Sequence, residues 1–203
     1  MQQVIVFVDV QNDFMLPTGS LYIKDAEKLI DKLALVYLAA RFDKAVNNSG
    51  TGIIFTQDWH QLADPEISNT PDYAKTFPLH CIADTQGAEL VEPINTFFSR
   101  GALIRKNTFD AFEASRFEST LFGMNQAGNL KPNVVYVCGV AAEICVNFVV
   151  QGLRHRHYNV CVIQDAIKAL PNYPLDKLIE VWKCLGVTMI DTVSLINKLI
   201  NGV

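Results

Sequence analysis

The chain has 203 residues, half of them apolar and 19% charged, with 17 Lys and Arg against 21 Asp and Glu. That length suits one domain spanning 1–203 around a single sizeable core. The formal charge of −4 lacks the excess of cations a nucleic-acid binder needs, and no apolar run approaches the length of a membrane span.

The N-terminal stretch "MQQVIVFVDVQNDF" has no basic leader, and Asp9 ends its apolar run early, so it reads as a strand and not as a signal peptide. Further short runs rich in β-branched residues follow at 52–56, 102–106, 133–140, 159–166 and 186–190. Continuous apolarity predicts strands buried on both faces, hence a mostly parallel six-stranded sheet. Between them, 25–46 sets Leu29, Ile30, Leu33, Val36 and Tyr37 on one helical face. The segment 174–186 opens with Pro and closes with Gly, the punctuation of a helix, and 192–200 reads as a last helix. The alternation predicts an α/β fold: a single-domain, doubly wound, three-layer α/β/α sandwich. The long segment 57–101 breaks this rhythm. It holds four of the eight prolines and two of the four histidines, and is too apolar for a disordered linker.

In such sheets ligands bind beyond the carboxyl ends of the strands. Asp9 ends the first strand, Asp58 and His60 follow the second, Lys106 closes the third, and Cys145 lies shortly after the fourth. All are therefore expected on one edge. A carboxylate against an apolar strand needs a partner or a raised pKa, and Lys106 is the natural counter-ion of Asp9. Asp13 reads as a turn or capping carboxylate. Asp58, His60 and His80 form a ligand set for a divalent metal with open positions, with Glu66 as a further oxygen ligand. The five cysteines are scattered with no CxxC, as in a reduced cytoplasmic protein. Cys138, inside a strand run, reads as core. Cys145 sits at a strand-to-helix turn, where free amides and the helix dipole are expected to lower its pKa and hold an oxyanion. It is the candidate nucleophile, with Asp9 to take its proton.

The motifs "VDVQNDF", "TQDWH", "FPLHC", "IRKNTFDAF", "GVAAEICV" and "VIQDA" resemble those of the isochorismatase-like cysteine hydrolases, and within them the nicotinamidases. The resemblance covers nearly the whole chain. It implies a catalytic triad of Asp9, Lys106 and Cys145, and an oxyanion hole from the backbone N–H groups of Ala141 and Cys145. It also implies a cis Val140–Ala141 peptide, and a divalent metal (zinc, or else manganese or iron) on Asp58, His60 and His80. The substrate would be a small amide, nicotinamide, whose ring nitrogen meets the metal and whose ring lies between Phe14 and Phe77. Ala142 and Glu143 stand where the family often has Thr and Asp, and Phe77 where Trp is common. The expected reaction is amide hydrolysis to nicotinate and ammonia through a thioester, in cytoplasmic pyridine-nucleotide salvage. Another C–N amidohydrolase acting on a ureido or carbamoyl compound is the alternative, followed by a catalytically dead binding relative. Neither nucleic acid nor membrane is an expected partner, while homo-oligomers are common among such relatives.

Overall fold

A computed structural model describes residues 3–47, 50–97, 101–123 and 131–201. Six strands form one sheet: β1 (Gln3–Val8), β2 (Gly52–Asp58), β3 (Ala102–Lys106), β4 (Val134–Val140), β5 (Val160–Lys168) and β6 (Thr188–Ile190). Their order is β3-β2-β1-β4-β5-β6, and every pairing is parallel. The longer helices are α1 (Ile30–Asn47), α2 (Phe117–Gly123), α3 (Asn147–His155), α4 (Leu175–Cys184) and α5 (Thr192–Asn201). Each strand predicted from sequence is present, with ends displaced by up to two residues. Residues 98–100 of the long 57–101 segment lie outside the described residues.

Side-chain alternation along the strands builds the layers. Ile5 and Phe7 of β1 meet Leu33, Val36 and Tyr37 of α1, together with Leu195 and Leu199 of α5. Val4, Val6 and Val8 point the other way, into a core shared with Phe117 of α2, Val149 and Leu153 of α3, and Trp182 of α4. The sandwich therefore has helices on both faces, as expected. Among the described residues no helix is long and apolar enough to cross a membrane.

Strand order reverses between β1 and β4, since α1 leads from β1 across one face and α3 leads from β4 across the other. That reversal opens a crevice at the carboxyl edge of the central strands, the place where doubly wound sheets bind ligands. Gly139 lets the two strands close up there. Its φ is +117°, and a Cβ would stand 2.0 Å from the Val8 carbonyl oxygen. β5 carries a register irregularity against β4 between Val137 and Gly139.

The segment from Trp59 to Val91 has little regular structure but is anchored at intervals. His60 N–H donates to Cys81 O at 3.0 Å, Ala83 N–H to His60 O at 2.9 Å, Ser68 N–H to Phe77 O at 2.9 Å and Phe77 N–H to Glu66 O at 2.7 Å. Beyond this last pair an exposed turn is organised by Asp72, whose Oδ1 accepts from the backbone N–H groups of Ala74, Lys75 and Thr76.

Gly139→Ala forces either the φ or the strand spacing to yield. It is expected to lower stability by about 2 kcal/mol or more, read as a lower urea midpoint at unchanged m-value.

Candidate active site

The polar residues predicted on one edge do converge there. Lys106, at the end of β3, is buried. Its Nζ is 2.9 Å from Asp9 Oδ2, ion-paired to Asp58 Oδ1, and 3.6 Å from Cys145 Sγ. Asp9 was the expected counter-ion; the second carboxylate, Asp58, follows from the β2–β3 register, which places Asp58 opposite Lys106. Burial disfavours the charged ammonium, but the two carboxylates more than offset this and hold the Lys106 pKa well above the usual lysine value. Asp58 is likewise buried, yet Lys106 and His60 pull its pKa down to about 2. For Asp9 burial prevails over Lys106, and the pKa is raised.

Cys145 departs from expectation in one respect. It lies within a single π-helical turn, Ala142–Val146, that precedes α3, and it is buried. Burial pushes its thiol pKa well up, and the lowering by Lys106 does not compensate. The resting group is thus a thiol, and proximity to a helix start does not make it a standing thiolate. Cys138 is core, as read from the sequence: it is fully buried in β4 with its Sγ 3.7 Å from Val6 O. The Val140–Ala141 bond is cis, as the family resemblance implied.

Beside Asp9, Lys106 and Cys145 lies a cavity. Phe14, Phe77 and Phe109 form its aromatic side and Leu21, Ile144 and Leu170 its aliphatic side, while Ala141 and Cys145 border it with Asp58 and His80. Phe77 meets Phe109 edge-on at 5.8 Å between centroids. Phe14 and Phe77 were read from the sequence. Of the remaining wall residues, Leu21, Ile144 and Leu170 were not, and only the "NTFDAF" motif pointed toward Phe109. Glu143 accepts a hydrogen bond from Leu170 N–H at 3.0 Å, tying the Cys145 turn to the aliphatic wall.

Asp58, His60 and His80 offer buried ligand atoms lying within 4.8 Å of one another. His60 Nε2 is 3.9 Å from both Asp58 Oδ2 and Glu66 Oε2, and His80 Nε2 is 4.0 Å from Asp58 Oδ2. His80 Nδ1 is 2.7 Å from Pro78 O, an outer hydrogen bond that leaves Nε2 as the ligating atom. Both His60 ring nitrogens and Glu66 Oε2 are buried without a hydrogen-bond partner. The unpartnered His60 nitrogens, beside the Asp58 carboxylate and the His80 ring, fit a divalent cation, with Glu66 Oε2 at the edge of the cluster. Glu66 is held by its other oxygen, which accepts from Phe109 N–H at 2.9 Å; burial and the Asp58 charge push its pKa up to about 7.

Two buried residues that sequence reasoning passed over fasten this edge. Gln11 Nε2 donates to Asp58 O and to Ala88 O, both at 2.8 Å, while Asp58 N–H donates to Gln11 Oε1 at 2.8 Å. Thr56 hydrogen-bonds Asp9.

Residues 3–194 match the family model for the isochorismatase domain. The chain belongs to the isochorismatase family. The nicotinamidase of Acinetobacter baylyi is 31% identical over 189 residues, covering 82% of this chain and 81% of its own. A pyrazinamidase of Pyrococcus horikoshii, solved in complex with zinc, superposes with a TM-score of 0.71 at 25% identity over 93% of this chain and 98% of its own. An L. infantum protein solved with nicotinate shares the fold, with a TM-score of 0.77 at 24% identity over 95% and 94% of the two chains.

Asp13 is the turn carboxylate the sequence suggested: its oxygens accept from Ser20 N–H at 3.0 Å and Cys81 N–H at 2.7 Å. Asp13→Ala leaves both donors unpaired and is expected to cost about 2 kcal/mol. Amide exchange at Cys81 then accelerates more than exchange at Val6 in β1.

Proposed function

We propose that this member of the isochorismatase family hydrolyses nicotinamide to nicotinate and ammonia with Cys145 as nucleophile. It acts as a C–N amide hydrolase in cytoplasmic pyridine-nucleotide salvage. The observation that carries the reading is the meeting of Cys145, Asp9 and Lys106 at a cavity with aromatic walls, with Asp58 and His80 on its border.

The substrate ring stacks among Phe14, Phe77 and Phe109, its carboxamide directed at Cys145. Asp58, His60 and His80, with Glu66 as a fourth ligand, would hold a divalent ion, which when bound would supply a Lewis-acidic contact for the ring nitrogen; zinc suits two imidazoles with carboxylates, as do manganese and iron. Asp9 takes the thiol proton; burial raises its pKa, which makes it a stronger base than an ordinary aspartate. The thiolate forms a bond to the carboxamide carbon while the C=O electron pair moves onto oxygen. Backbone N–H groups of Ala141 and Cys145 hold that oxyanion. As the tetrahedral species collapses, the C–N bond breaks, the nitrogen takes the proton from Asp9, and ammonia leaves a thioester. Asp9 then accepts a proton from water, whose oxygen attacks the thioester carbon. Collapse breaks the C–S bond and the Asp9 proton returns to sulfur, while the acid product loses its remaining proton to solvent and leaves as nicotinate. Lys106 remains charged throughout, stabilising Asp9 and the thiolate.

The deciding assay is ammonia release from nicotinamide by the metal-loaded chain, beside a ureido compound. Cys145→Ala is expected to abolish release while keeping the fold and the metal. Cys138→Ala is expected to keep activity and to lose about 1 kcal/mol of stability. A dead Cys138 variant beside an active Cys145 variant would reverse the assignment.

Glu66→Ala is expected to retain less metal than wild type after dialysis against a mild chelator, with Ser68→Ala unchanged. Full occupancy in the Glu66 variant would leave a three-residue site.

A further inference from the structure

Asp9 stands one residue beyond the end of β1 with φ at +48°, a conformation that an L-residue rarely adopts and that needs external support. The strand ladder no longer holds it. Thr56, wholly buried in β2, does. Its hydroxyl accepts from Asp9 N–H at 3.2 Å and donates to Asp9 Oδ1 at 2.6 Å. A hydroxyl carries one proton, and the incoming Asp9 amide occupies a lone pair, so that proton is directed to the carboxylate. The O–H···O contact is a short one, well within hydrogen-bond range. On the other side, Lys106 Nζ lies 2.9 Å from Oδ2. The two oxygens are thus held by different groups on different strands, Thr56 on β2 and Lys106 on β3, and the carboxylate plane cannot turn without breaking one contact. Thr56 does not line the cavity, so it meets no substrate.

We propose that Thr56 is a positioning residue for the hydrolysis: its hydroxyl fixes the Asp9 carboxylate in the orientation from which it exchanges a proton with Cys145. This rests on the reading of Cys145 as nucleophile and Asp9 as its base. A Thr that merely fills space in a buried strand would be replaceable by Val, which has nearly the same shape and equal suitability for a strand. Hydroxyl and volume are therefore separable.

The test compares Thr56→Val, Thr56→Ser and Thr56→Ala in the metal-loaded chain. It reads kcat and KM for nicotinamide, bound metal, melting midpoint, and the rate at which iodoacetamide alkylates Cys145 at one pH. Thr56→Val is expected to lose kcat on the order of 100-fold, with KM and metal content unchanged and alkylation several-fold slower. Thr56→Ser, which keeps the hydroxyl and loses the methyl, is expected to be less stable yet to retain near wild-type kcat and alkylation. If the Val variant does not fold, the comparison of Ser with Ala isolates the hydroxyl, with Ala expected to show the loss. Wild-type kcat in Thr56→Val, equal kcat in the Ser and Ala variants, or an effect confined to KM would overturn the proposal. A wild-type chain that releases no ammonia from nicotinamide would defeat the functional reading instead. The alkylation rates would then still judge Thr56: slower in Val than in Ser upholds it, and equal rates overturn it.

Discussion

The buried Lys106 ammonium is the interaction on which this edge of the molecule depends. It stands between Asp9 and Asp58 and within reach of Cys145. Without a cation, two carboxylates this close in a buried setting could not both remain ionised. With it, one carboxylate lies beside the thiol and the other beside the histidine cluster, so a single charge joins the two halves of the site. The arrangement requires three adjacent parallel strands ending at one level, which the strand order β3-β2-β1 provides.

Much of this was legible in the sequence because the signals are local. An apolar strand interrupted by Asp9, a strand ending in Lys106 and the D-x-H of Asp58 and His60 each announce a strand end with chemistry on it, and α/β topology collects such ends on one side. Phe14 and Phe77 came from resemblance, and the cavity contains both. The residues that were missed are those whose role depends on which strands are neighbours. Thr56 looks like any β-branched residue in a strand, and Gln11 like any polar residue in a turn. Their partners are 47 positions away, and a single sequence does not order the strands.

The state of Cys145 shows a different limit. Position near a helix start suggested a lowered thiol pKa, whereas the pKa is governed by burial and by the carboxylates around it. Sequence reports where a residue falls along the chain, while solvation depends on everything folded over it. Asp9 is raised by the same burial, so one physical cause acts on both neighbouring groups.

The turn beyond the Ser68–Phe77 hydrogen bond lies outside every anchor that holds His60, Glu66, Phe77 and His80. Its backbone order comes from Asp72 gathering the amides of Ala74, Lys75 and Thr76, while its Tyr73 ring rests edge-on against Phe77 at 6.1 Å between centroids. With Tyr73 kept in place, chain length elsewhere in the turn is independent of the backbone anchors at His60 and Glu66. Evolution or a protein engineer could lengthen this excursion, or graft a recognition peptide into it, at only the slowly growing entropic cost of a longer loop.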